Sequence, residues 1–239
     1  RQIIAIPMKR SDDNRYTVDY EAFETAITMH DVNLFIHCNP HNPVGHVWTE
    51  NEMARLFSIC ERHKVLIISD EIHQDLITGS TPFTSALTVA SGAYADNIIA
   101  MSSLSKSFNM ASLHHAEVII PNEKLRGQFN FYKVHVYHTD SDVIAETAIT
   151  VAYTHPESEA WLTDVLTVIR ENYEYLCREL CTALPQIRIS PMDGTYLAWI
   201  DFGAYVKAED MHDLFENKCL IAPSFGEWFG GKNYATFVR

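Results

Sequence analysis

Several kinds of signal are missing from these 239 residues. No apolar run approaches the roughly 20 residues a membrane helix needs, and the opening RQIIAIPMKR lacks the long apolar segment of a signal peptide. No membrane partner is indicated, and the chain reads as cytoplasmic. Basic residues are few, 18 Lys plus Arg against 31 Asp plus Glu, for a net charge of −13. With no basic stripe to track a phosphate backbone, nucleic acid is not an expected partner. The cysteines, Cys38, Cys60, Cys177, Cys181 and Cys219, are odd in number and form no CxxC. That excludes a disulfide framework and points to reduced, mostly buried thiols, with Cys177 and Cys181 read as core packing on one helix. The 12 histidines are scattered without an HExxH or a Cys/His spacing, so no metal is expected. Internal repeats, low-complexity tracts and Gly/Ser linkers are also lacking.

What is present is a globular pattern, with 47% hydrophobic residues and enough length for one large domain or two modest ones. Short apolar runs alternate with amphipathic stretches: LFIHC (34 to 38), VLIIS (65 to 69), NIIAM (97 to 101) and AEVII (116 to 120). Between the first two, Thr49 and Glu52 form a capping box, and Met53, Leu56, Phe57 and Cys60 fall on one helical face. Strand, helix, strand implies right-handed crossovers and a largely parallel sheet. From about residue 122 the pattern turns helical, with a long helix expected from Glu157 to Leu184. After Pro185 come IRIS, TYLAWIDF and AEDMHDLFENKC, which read as a small α+β unit. The expected architecture is α/β, with a large domain over 1–155 and a linking helix plus smaller α+β domain over 156–239. The first residue is not Met, RQIIAIPM reads as a strand entering a turn, and ATFVR stops in a β-like run. A fragment truncated at both ends is expected.

In an open α/β sheet, ligands bind beyond the carboxyl ends of the strands. After LFIHC, Asn39-Pro40-His41-Asn42-Pro43-Val44-Gly45 carries two Asn-Pro steps, each able to project an amide from a rigid turn. Taken alone, this is more often an ordinary turn. After VLIIS, Asp70 heads Asp70-Glu71-Ile72-His73, placing a carboxylate where a protonated ring nitrogen could pair with it. After NIIAM, hydroxyls at Ser102, Ser103, Ser105 and Ser107 surround Lys106. Hydroxyls and backbone N–H groups suit a phosphate, and a desolvated lysine is a nucleophile and base. Arg239 follows the last apolar run and could hold a carboxylate bidentately.

In order and separation these segments resemble the aminotransferase class I and II family of fold-type I pyridoxal-phosphate enzymes. NPHNPVG, SDEIH, SLSKSFN followed by VIIPN, and GTYLAWIDF resemble its branch of cystathionine β-lyases and related cysteine–sulfur lyases, the MalY/PatB type. The resemblance implies the mostly parallel three-layer sheet of that family's large domain, pyridoxal 5′-phosphate as cofactor, an amino-acid substrate, and a homodimer for the full-length form. It implies that Lys106 forms the Schiff base, Asp70 pairs with the pyridinium nitrogen, and Asn42 donates to the phenolic oxygen. Ser103 and Ser105 would contact the phosphate, with His114 standing where relatives often place Arg or Gln. His73 takes the place of a tyrosine near the phenolic oxygen in classical aminotransferases, and Arg239 falls where the substrate α-carboxylate is held. The family's N-terminal phosphate-binding turn and ring-stacking aromatic have no counterpart here.

The activity implied is α,β-elimination from a cysteine S-conjugate such as cystathionine, giving pyruvate, ammonia and a thiol. An aminotransferase uses the same cofactor contacts and differs only in where one proton returns. A non-catalytic or regulatory domain on the same fold is the third reading.

Overall fold

The computed structural model describes residues 2–139 and 142–239. A short antiparallel pair, β1 (Lys9–Arg10) and β2 (Tyr16–Thr17), precedes α1 (Tyr20–His30), β3 (Leu34–Cys38), α2 (Glu50–Arg62) and β4 (Leu66–Asp70). Then follow β5 (Ile98–Ser102), the one-turn α3 (Leu104–Ser107) and β6 (Glu117–Ile119). Within the opening RQIIAIPM, residues 2–8 are irregular and not a strand, and pairing begins only at Lys9.

β3, β4, β5 and β6 form a four-stranded sheet in that order. The first two pairings are parallel and the third antiparallel. β6 runs back because only α3 and a 3-10 turn separate it from β5, with no crossover helix long enough to return the chain across the sheet. One face of the sheet is dry. Ile67, Ser69, Ile98 and Ala100 are buried there with His37, against α2 residues Met53, Leu56, Phe57 and Cys60. Each such apolar side chain contributes roughly 1.5–3 kcal/mol by leaving water. The capping box starts α2: Thr49 Oγ1 accepts from Glu52 N at 3.3 Å, and Glu52 Oε2 accepts from Thr49 N at 2.9 Å. On the opposite face, Leu34 and Ile36 are exposed (Ile36 67%), and Asp70 lies at the carboxyl end of that same side, beside Cys38 and Met101 in register.

α4 (Glu123–His135), α5 (Val143–Thr154) and the 28-residue α6 (Pro156–Ala183) follow. α6 has no fully buried residue. Cys177 on it is half-buried and Cys181 exposed, as is Cys219. The expectation of mostly buried thiols therefore fails for two of them: α6 offers Leu176 and Leu180 to the small core and turns Cys181 to solvent, and Cys219 lies exposed at the end of the stretch Asp213–Lys218.

A second sheet joins β7 (Arg188–Ile189), β8 (Ile200–Asp201) and β9 (Phe237–Val238), antiparallel throughout. Ile187, Ile200, Met211, Phe215, Phe225 and Val238 form its core. AEDMHDLFENKC folds as a 3-10 turn, Ala208–Asp210, followed by a π-helical stretch, Asp213–Lys218, and α7 (Glu227–Gly230) precedes β9. The two sheets are stitched together near the carboxyl end of the larger one. Asp193 N and Gly194 N both donate to Gly45 O at 3.0 Å, and Thr78 N and Gly79 N donate to Asp193 O. A Cβ on Gly194 would stand 2.8 Å from Pro40 and Val47 side-chain atoms, so only glycine permits this approach. Among the described residues, no helix is long and apolar enough to cross a membrane.

Candidate active site

Four chain segments meet at the carboxyl end of the larger sheet. The first is the loop after β3, where both Asn39-Pro40 and Asn42-Pro43 are cis. Asn39 is fully buried and locks the loop, accepting from Trp48 N at 3.2 Å and donating to Thr84 O at 3.0 Å. Asn39 thus serves the scaffold, and Asn42 is the asparagine that reaches out. Asn42 Oδ1 accepts from Arg239 Nη1 at 2.9 Å. Arginine can only donate, so this contact fixes the amide's orientation and leaves its NH2 to face a ligand acceptor.

The second segment begins at Asp70. Its Oδ1 accepts from Ile72 N at 3.2 Å, and no partner engages Oδ2 among the described residues. The neighbouring Glu71 points the other way, into the core, where it accepts from Ser69 Oγ at 2.9 Å and Ala86 N at 2.8 Å. Burial pushes the Glu71 carboxyl above its ordinary range. His73 is 3% exposed and its Nδ1 is buried without a partner. Burial, and then the charges of Lys106 and Arg239, lower its pKa to about 4. It is neutral at pH 7 and shares the site's electrostatics with both cations. The ring of Tyr196 stands edge-on to His73 at 5.7 Å.

Lys106 is on α3, half-buried, with no hydrogen bond or ion pair among the described residues. Ser103 caps this turn: its Oγ accepts from Ser105 N at 3.1 Å and donates to His115 O at 2.6 Å. The proton of Ser103 is thereby engaged, whereas the Ser105 hydroxyl has no partner among the described residues. His114 is exposed, in a left-handed conformation with φ 49°, and its side chain makes no hydrogen bond among the described residues.

The fourth segment ends in Arg239, held in line with β9 by paired backbone bonds to Ser224. Its guanidinium donates to Asn42 and to Ser224 Oγ at 3.0 Å, and lies over the Phe229 ring at 4.8 Å. The remaining guanidinium N–H groups stay open to an anion.

An unpartnered amine, a carboxylate with one free oxygen, an amide turned to donate and a half-free guanidinium form a donor set that fits pyridoxal phosphate and an amino acid's carboxylate. Of the residues expected to meet the phosphate, Ser103 is engaged and His114 lies exposed, so that part of the set is the less furnished. Sequence reasoning passed over Ser224, Phe229 and Tyr196, which line the site from the second sheet. Nothing local marks them, because β-pairing and the Gly45–Gly194 stitch bring them in.

The model of the aminotransferase class I and II family matches residues 1–228. Among curated relatives, cystathionine beta-lyase PatB of Bacillus subtilis is 32% identical over 240 residues, covering 98% of this chain and 60% of that protein. Protein MalY of Escherichia coli is 31% identical over 202 residues, covering 84% of this chain and 50% of its own length. Among solved structures, cystalysin from Treponema denticola, which contains pyridoxal 5′-phosphate, superposes with a TM-score of 0.93 at 28% identity, over 100% of this chain and 60% of its own. The pyridoxal-phosphate-bound C-S lyase from Staphylococcus hominis gives 0.89 at 30% identity, over 99% and 56%. The chain thus spans about 60% of the length of the first of these relatives. With a family match that covers residues 1–228 and so runs through the Asn42, Asp70 and Lys106 segments, this chain belongs to the aminotransferase class I and II family.

Proposed function

We propose that the protein containing this chain is a pyridoxal-phosphate-dependent carbon–sulfur β-lyase that eliminates a thiol from cysteine S-conjugates such as cystathionine. The observation that carries the reading is the Arg239–Asn42 contact at 2.9 Å, which supports a unit of the proposed substrate-carboxylate holder and the proposed phenolic-oxygen donor. The likeness to cystathionine and C-S lyases supports the choice of reaction.

Pyridoxal phosphate, when bound, draws electrons from the α-carbon of the amino acid attached to it. Lys106, whose amine has no hydrogen bond or ion pair among the described residues, would hold the cofactor and serve as the base for the α-proton. Asp70 keeps the ring nitrogen protonated through its free oxygen. Asn42 donates its amide N–H, and Arg239 orients the substrate by its carboxylate through its open N–H groups. His73 stays neutral beside Lys106 and Arg239 and adds no competing charge. Ser105, with Ser103 and His114 nearby in sequence, is the phosphate end of the site.

In this reading the protein is a homodimer, supported by the apolar side chains exposed along α4, α5 and α6, Phe131, Tyr132, Val143, Ile144 and Trp161 among them. It is cytoplasmic, in keeping with five free cysteines. The family match favours aminotransfer as the second reading.

Pyruvate assay with cystathionine decides between them. Release without a keto acid supports the lyase, and an absolute requirement for an acceptor moves the assignment to aminotransferase. Absence of turnover under both conditions, together with no cofactor adduct on Lys106, would leave a non-catalytic binding domain.

A further inference from the structure

We infer that Asp75 is a positioning residue for Lys106, acting through the hydroxyl of Ser107. The inference rests on the role of Lys106 proposed above and goes on to say what holds that lysine in place.

Ser107 follows the lysine directly, is 1% exposed, and its Oγ donates to Asp75 Oδ2 at 2.7 Å. That is the short, charge-assisted kind of hydrogen bond, about twice as strong as a neutral pair. The same oxygen accepts from Tyr153 OH on α5 at 3.4 Å, a much weaker contact. Asp75 lies two residues beyond His73, in a turn closed by Gln74 N to Glu71 O and Leu76 N to His73 O, both 2.9 Å. Glu71 is itself pinned in the core by Ser69 and Ala86. The route from Asp70 through Asp75 and Ser107 to Lys106 is therefore short and stiff.

α3 needs such an anchor. It has four residues, a single turn, and a helix that short cannot hold its own position in water. Ser103 fastens its start to His115 O, and Ser107 fastens its end to Asp75. Without the carboxylate, the buried Ser107 hydroxyl loses its acceptor, and the turn relieves that by shifting and taking the amine with it. A displacement of about 1 Å at a reacting group is enough to cost up to about a hundredfold in rate.

The experiment mixes the protein with pyridoxal phosphate, quenches with borohydride at timed intervals, and maps the adduct by peptide mass spectrometry. Asp75→Ala and Ser107→Ala are expected to slow trapping at Lys106 by about tenfold, the order of one charge-assisted bond, and to divert part of the label to other lysines. The double variant should be no slower than either single one. Asp75→Asn, which keeps an acceptor without the charge, should fall between, and Ser107→Thr should restore the wild-type rate. Tyr153→Phe should leave trapping within about twofold, given its long contact. Circular dichroism at the trapping temperature separates misplacement from unfolding. Wild-type trapping rates in Asp75→Ala and Ser107→Ala, or losses no larger than the unfolded fraction, would overturn the inference while leaving the role of Lys106 intact. If the wild-type protein itself takes no label on Lys106, the proposed function fails and this inference fails with it.

Discussion

Arg239 Nη1 donates to Asn42 Oδ1 at 2.9 Å across 197 positions of sequence, and this bond sets which way the Asn42 amide faces. Changing Asn42 to Asp turns the contact into an ion pair and removes the amide donor. We expect kcat/KM of the full-length enzyme to fall about 10- to 100-fold, since one hydrogen bond to a charged group is lost and Arg239 is partly neutralised. Asn42→Ala should also lower kcat/KM but leave substrate KM less affected, because Arg239 is then freed. Equal KM values for the two variants would mean that Arg239 does not hold the substrate carboxylate.

In the proposed reaction Asp70 serves the electron sink and not the covalent hold, so its two losses should separate. Asp70→Ala is expected to keep borohydride-stable labelling of Lys106 while turnover drops by about two orders of magnitude or more. Parallel loss of labelling and turnover would show that Asp70 acts on the loop, through its bond to Ile72 N, and not on the cofactor.

Lys106→Ala should abolish labelling at this position and all turnover, with little change in the unfolding midpoint, because the amine makes no hydrogen bond or ion pair among the described residues. An undiminished adduct on another lysine, with activity kept, would move the nucleophile elsewhere.

The parts of this arrangement that follow from local rules are the ones readable in the sequence. The Thr49–Glu52 box and the Met53–Leu56–Phe57–Cys60 face follow from short-range periodicity, and both are present. Strand ends locate Asp70, Lys106 and the Asn-Pro loop for the same reason. The role of Asn39 could not be read, because its side chain bonds to Trp48 N, Met53 Sδ and, 45 positions on, Thr84 O, and no spacing marks those partners. The reversal of β6 was hidden by a connection whose residues do not declare a direction. The partners of Arg239, Ser224 and Phe229, depend on β-pairing of a strand only two residues long, below what any alternation pattern can signal.

Two buried histidines, His37 and His73, and the half-buried His41 are expected to make the fold acid-sensitive well above the carboxylate range. Burial lowers His37 to about 3 and both His41 and His73 to about 4, against an ordinary value near 6.5 in the unfolded chain. Above pH 6.5 both states are neutral at these positions and they contribute no pH dependence. As pH falls below that, the unfolded chain binds protons the folded one refuses. Each histidine then removes about 1.4 kcal/mol of stability per pH unit, until the folded value is reached. Glu71, raised by burial, works in the opposite sense above about pH 4.5, since the folded state protonates it first. His37→Phe isolates one term from this background. The ring would stay among Phe35, Trp48 and Phe57, and Ser69 Oγ would keep its bond to Glu71. Unfolding free energies from urea titrations at pH 7.5, 6 and 5 should decline steeply in the wild type, and less steeply in His37→Phe by about 1.4 kcal/mol per pH unit below 6.5. Identical slopes in the two proteins would mean that His37 is protonated in the folded state, and that its unpartnered Nε2 has a partner in solution.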